Sequence, residues 1–223
     1  MKKKTKIILC TASIIGVVGI SGILAYLTDI KTTSNIFTVG HVKIELKEPN
    51  WESATDSDND GIPDYADNIT PNATIPKDPQ VKNVGKNNSY VYLKVTIPAK
   101  NIVTANDDGT LVNDGQPQAT PLYTYTPNTT DWAEIISKRT TNTNSANEVE
   151  SYTYVYYYKQ ELEPTATTSA LFNSVKFANI IDGQVDSSAK QQIDITAYAI
   201  QSDNLPADTN IEDAYTIYTN QNK

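Results

Sequence analysis

The chain is 223 residues long and carries 18 Lys and Arg against 26 Asp and Glu, a formal net charge of −8. Four of the basic residues and none of the acidic ones fall in residues 1–25, so residues 26–223 hold 14 basic against 26 acidic side chains, a net −12. A surface this acidic excludes nucleic acid and anionic lipid as charge-driven partners, and it favours solubility and divalent cations.

The first six residues include four lysines, and residues 7–28 then run for 22 positions without a charge. A basic start before an apolar run is the pattern of a secretion signal. At about 1.5 Å per residue the run could also span a bilayer, so an uncleaved anchor is the alternative. Thr11, Ser13, Gly16, Gly19, Ser21 and Gly22 make the run only moderately apolar, and Ala25 supplies a small residue for a peptidase, although Ile23 is larger than ideal two positions before it. Cys10 follows Ile7-Ile8-Leu9 and lacks the small residues of a lipobox. The expectation is a signal peptide over residues 1–25 with an N-terminal signal helix, cleavage after Ala25, and a domain over residues 26–223. The product would be secreted to the extracellular matrix or cell surface and meet the membrane only through the uncleaved segment. Met1 and Cys10 are the only sulfur-bearing residues, so the processed chain would rely on its core or on bound metal for stability.

Residues 36–47 alternate at Val42, Ile44 and Leu46, which predicts a half-buried strand. Residues 81–84 predict a short strand closed by a turn over 85–88. The clearest strand is 89–98, with Val91, Leu93, Val95 and Ile97 on one face and Tyr90, Tyr92, Lys94 and Thr96 on the other. Residues 106–121 are turn-rich and read as a small hairpin or a loop, 132–138 as a strand, and the Asn/Thr-rich 140–147 as a surface loop. A long strand is expected over 151–162 with Tyr152, Tyr154, Tyr156 and Tyr158 on one side. That stripe reads either as half-buried sheet surface or as a contact face in an assembly. Strands over 175–181 and 193–201 follow, the second with Ile193, Ile195, Ala197 and Ala199 inward. One helix is expected, over 210–219, with Thr209 and Glu212 as a capping box and Ile211, Tyr215 and Tyr218 sharing a face. About eight short strands at this spacing predict an all-β chain, a jelly-roll-like β-sandwich with one short C-terminal helix.

The chemistry concentrates in residues 56–67, Asp56-Ser57-Asp58-Asn59-Asp60-Gly61-Ile62-Pro63-Asp64-Tyr65-Ala66-Asp67. Calcium takes six to eight hard oxygens at about 2.3–2.6 Å. Carboxylates at loop positions 1, 3 and 5 (Asp56, Asp58, Asp60) curl around one ion when a Gly at position 6 makes the sharp turn. Position 7 offers the Ile62 carbonyl, position 9 Asp64 directly or through water, and position 12 Asp67, where an EF-hand has Glu. Pro49 and Pro71 bracket the loop and exclude the flanking EF-hand helices. The loop resembles thrombospondin type 3 and related Asp-rich calcium loops, and Ca2+ is the cofactor expected. The alternative is a solvated acidic turn, whose five carboxylates would hold it open by repulsion without metal.

His41 is the only histidine. A zinc peptidase needs two or three His or carboxylate ligands and a base, commonly His-Glu-x-x-His, and the sequence has no such motif, no nucleophile elbow, no P-loop and no GxGxxG. An enzyme is not expected.

Several blocks together resemble the TasA/camelysin family of Gram-positive bacteria. They are Ala25-Tyr26-Leu27-Thr28-Asp29, Asn35-Ile36-Phe37-Thr38-Val39-Gly40, Val42-Lys43-Ile44-Glu45-Leu46 and Glu48-Pro49-Asn50-Trp51. Further blocks are Ile75-Pro76-Lys77-Asp78-Pro79-Gln80-Val81, Asn83-Val84-Gly85-Lys86-Asn87, Tyr90-Val91-Tyr92-Leu93-Lys94-Val95 and Ile195-Thr196-Ala197-Tyr198-Ala199-Ile200-Gln201. The resemblance implies a jelly-roll-like sandwich, processing by a dedicated signal peptidase of the SipW kind, and homo-oligomeric assembly into biofilm-matrix fibres or pilus-like filaments. It implies growth by donor-strand addition, with residues 26–39 as the strand that one subunit lends to the next. The acidic loop stands as an insertion between Trp51 and Ile75 relative to many members. The camelysin label also implies a cell-surface metallopeptidase, yet no residue here matches a protease site. A monomeric calcium-dependent adhesin is the remaining alternative.

Overall fold

The computed structural model describes residues 41–186 and 191–222. The expected signal peptide with its helix, the cleavage point after Ala25, the segment 26–39 and the start of the strand at 36–40 lie outside the described residues.

The fold is an all-β sandwich-like arrangement with a C-terminal helix. Its main sheet is ordered β11 (Asp194–Gln201), β4 (Ser89–Ile102), β9 (Val149–Tyr158), β7 (Trp132–Glu134), all neighbours antiparallel. β5 (Gln118–Pro121) pairs with the end of β4, and β8 (Thr140–Thr143) with the start of β9. Opposite lie a ladder of β1 (Ile44–Lys47) with β3 (Gln80–Asn83) and a three-stranded sheet ordered β2 (Thr74–Pro76), β10 (Ser174–Phe177), β6 (Tyr123–Thr124).

β4 organises the sandwich because one of its faces is buried in the main core and the other is partly covered. Val91, Leu93, Val95 and Ile97 point into the main core with Tyr156 of β9, Val81 of β3, and Val175 and Phe177 of β10. Each such fully buried side chain contributes about 1.5–3 kcal/mol relative to exposure. The ladder with β9 ends at Pro98, paired with Ser151, and from Ala99 onward β4 pairs with β5. A residue without an N–H suits the point where a strand changes partners.

The other face of β4 and β9 carries Tyr92 and Val155, which form a second cluster with Ile200 of β11 and with Ala214 and Tyr215. The last two belong to the C-terminal helix, whose short companion α1 (Pro49–Glu52) precedes it; the C-terminal helix is α2 (Ile211–Gln221). Tyr92 Oη donates to the Ile211 carbonyl at 2.7 Å and pins the helix start to the sheet. The helix is capped by Asn210 rather than Thr209. Asn210 Oδ1 accepts from Asp213 N at 2.8 Å and its Nδ2 donates to Asp213 Oδ2 at 2.8 Å, so the reciprocal pair sits one residue later than the sequence suggested.

The Asn/Thr-rich segment expected as a loop is in part strand β8, whose Asn142 donates to Ser151 Oγ at 2.8 Å and to Thr153 Oγ1 at 3.1 Å on β9. The expected strand over 132–138 stops at Glu134 and turns into a 3-10 segment, Ile136–Lys138. The tyrosine stripe faces the sandwich. Tyr154 and Tyr156 pack against Tyr125, and Tyr158 against Trp132 at 5.2 Å. Gly85 is required by a close approach: a Cβ there would lie 2.7 Å from the His41 carbonyl oxygen and 2.8 Å from Lys43 N.

Candidate metal centre

The acidic loop leaves α1 and returns at β2, and its first half is folded around its own carboxylates. Asp56 Oδ1 accepts from Asp60 N at 3.2 Å and Asp56 Oδ2 from Gly61 N at 2.9 Å. Asp58 Oδ1 accepts from Asp60 N at 3.3 Å, and Asp60 Oδ1 from Ile62 N at 2.8 Å. Short acidic side chains bond their own backbone two residues on in this way, and the curl needs residues that tolerate left-handed backbone. Asn59, at φ 60°, and Gly61, at φ 86°, supply it.

The result is one carboxylate oxygen from each of Asp56, Asp58 and Asp60 within 4.8 Å of one another. Among the described residues this is the one group of His, Cys, Asp or Glu side chains close enough to share a metal, and exposed His41 is not part of it.

The second half of the loop is held differently. Asp64 opens a 3-10 turn, Asp64–Ala66, and both of its carboxylate oxygens are taken by Ser57. The Ser57 N–H donates to Oδ1 at 2.8 Å and its hydroxyl to Oδ2 at 2.7 Å. These two bonds hold the Asp64 carboxyl below the usual carboxylate range. Position 9 of such loops commonly reaches the ion through a bridging water. Asp67 ends the 3-10 turn in extended conformation and is half-buried. Burial raises its carboxyl above the usual range, and the negative charges of Asp60, Asp58, Asp64 and Asp56 raise it further. Neither Asp64 nor Asp67 belongs to the group of carboxylates that lie within 4.8 Å of one another. Ile62 is half-buried and donates its N–H to Asp60.

The loop is anchored by residues that the spacing argument did not single out. Tyr65 Oη donates to the Asn50 carbonyl at 3.2 Å, and Asn50 N donates to the buried Asp78 at 2.9 Å. Lys77 pairs with Glu48 at 2.7 Å and lies over the Trp51 ring at 5.0 Å from its centroid. In the sequence the only trace of this anchor is the pair of blocks around Trp51 and Asp78. No family model matches the chain, and none of the curated proteins matches it.

Proposed function

We propose that the protein is a secreted structural subunit of extracellular fibres, homo-oligomeric, in which residues 26–39 of one copy add as a strand to the next and calcium rigidifies the 56–67 loop. The observation that carries this reading is the edge of the main sheet. β11 runs for eight residues, and among the described residues its only ladder is with β4. Its sequence, Asp-Ile-Thr-Ala-Tyr-Ala-Ile-Gln, contains no Pro, Gly or Lys to blunt that edge. A sheet edge of this length is suited to strand addition, where main-chain hydrogen bonds supply affinity.

Further support comes from the signal-like start and from the TasA/camelysin blocks, and the Asp56, Asp58 and Asp60 cluster supports calcium as the ion. Signal-peptidase cleavage after Ala25 would free the lending segment, so processing would also switch on assembly. The deciding experiment compares chains 26–223 and 40–223 by electron microscopy, with N-terminal sequencing of the secreted protein. Fibres from the longer chain alone, with equal thermal stability of both, are expected. A longer chain that stays monomeric over a wide range of calcium and pH overturns the reading.

A further inference from the structure

The outer face of the main sheet holds an open groove of about 550 Å3 beside α2, lined from β4, β8, β9 and the helix. Its lining is polar. The Thr96 and Thr153 hydroxyls, on adjacent strands, meet at 3.0 Å, and Asn142 Nδ2 donates to Thr153 Oγ1 at 3.1 Å. Lys94 and Lys138 line the same groove, both half-buried, and Tyr215 adds an apolar wall.

Among the described residues neither lysine has a carboxylate within 4.0 Å, in a chain that carries eight excess negative charges. Lys94 Nζ lies 5.8 Å from the centroid of the Tyr198 ring. Asp194, opposite Thr96 in the ladder, accepts from Gln192 Nε2 at 2.7 Å. Two lysines in one groove without a carboxylate partner can be completed by an anion from outside, and the hydroxyl and amide lining suits a polyol. The groove is walled by side chains of strands already paired with one another, so it offers no backbone row to extend an acidic peptide.

We infer that this groove binds an acidic polysaccharide, with a uronate carboxylate between Lys94 and Lys138 and sugar hydroxyls against Thr96, Asn142 and Thr153. The inference stands apart from the acidic loop and does not require fibres.

Isothermal titration of the full chain with oligogalacturonate, in calcium-free buffer with chelator present, tests it. Chelation removes any bridging of uronate to the loop by calcium. Binding is expected, with none for neutral dextran oligomers of equal length. Lys94→Gln and Lys138→Gln should each weaken it about tenfold, the loss of one charge-assisted hydrogen bond, without lowering the melting temperature. Thr153→Val should weaken it less. Absence of oligogalacturonate binding overturns the inference, as does binding unchanged in the double lysine variant. Equally tight binding of polyglutamate overturns it too, in favour of an acidic-peptide site.

Discussion

The Tyr65 ring stands edge-on to Trp51, centroids 6.2 Å apart and planes at 87°, so a residue inside the acidic loop touches the one half-buried tryptophan. Between Asp64 and Asp67, Tyr65 moves with the carboxylates that would close on an ion. Trp51 sits on α1, which Asp78 and the Lys77–Glu48 pair tie to the sandwich. Any rearrangement of the loop is therefore felt at that indole.

Calcium titration should accordingly change the emission of Trp51. The second tryptophan, Trp132, is 1% exposed in the core, and its indole N–H already donates to the Ser169 carbonyl at 3.1 Å. The calcium-dependent change should vanish in Trp51→Phe and persist in Tyr65→Phe, which keeps the ring. A change that survives Trp51→Phe would show that the signal arises elsewhere.

Neutralising one carboxylate of the cluster should weaken calcium binding by about tenfold or more, because affinity in such loops follows ligand charge and count. Asp56→Asn, Asp58→Asn and Asp60→Asn are the variants, and calorimetric titration is the measurement. Asp64→Asn should cost less if position 9 reaches the ion through a water, as it commonly does. Equal losses at Asp64 and Asp58 would place Asp64 directly on the ion.

Acid should release the ion through Asp67. Its raised pKa means that, without metal, its contribution to stability is complete below the ordinary carboxylate pKa and is lost as pH rises through the raised value. Asp64 has the opposite sign. Its depressed pKa gives a contribution present above the ordinary value and lost as pH falls through the depressed one. With Asp67 as a ligand, protons and calcium would compete for it, and affinity should fall as pH drops through the raised range, before Asp64 titrates. Asp67→Asn should flatten that part of the pH profile, which calorimetry at successive pH values would read.

Asn83, fully buried, is a structural residue with a measurable cost of removal. Its Nδ2 donates to the Asn87 and Leu162 carbonyls at 2.9 and 2.8 Å, and its Oδ1 accepts from Gly85 N at 2.9 Å. Asn83→Leu leaves those three groups without their side-chain partner and should destabilise the fold by at least about 2 kcal/mol in denaturant unfolding. Calcium should not restore it.

The alternating strands were legible because side-chain period is a local property. The outward and inward faces of β4, the inward Ile195, Ala197 and Ala199 of β11, and the helix near the end all follow from residue order. β8 was not legible: Thr140, Thr141, Asn142 and Thr143 are all exposed, so no burial pattern marks them, and only the ladder with β9 makes them a strand. Ser57 was likewise silent, since a serine between two aspartates says nothing of a partner seven residues on.

The sequence by itself determined that the chain is all-β, strongly acidic and equipped with a loop whose Asp spacing and Gly61 turn suit a divalent ion, because periodicity, charge and backbone tolerance are written residue by residue. Tertiary structure alone decided which carboxylates meet. It gathered Asp56, Asp58 and Asp60, gave Asp64 to Ser57, and bound the loop to α1 through Tyr65. It also decided that β11 is the outermost strand of the main sheet among the described residues and that Lys94 and Lys138 share one groove. Pairings between distant residues depend on how strands order in space, and no local pattern encodes that order.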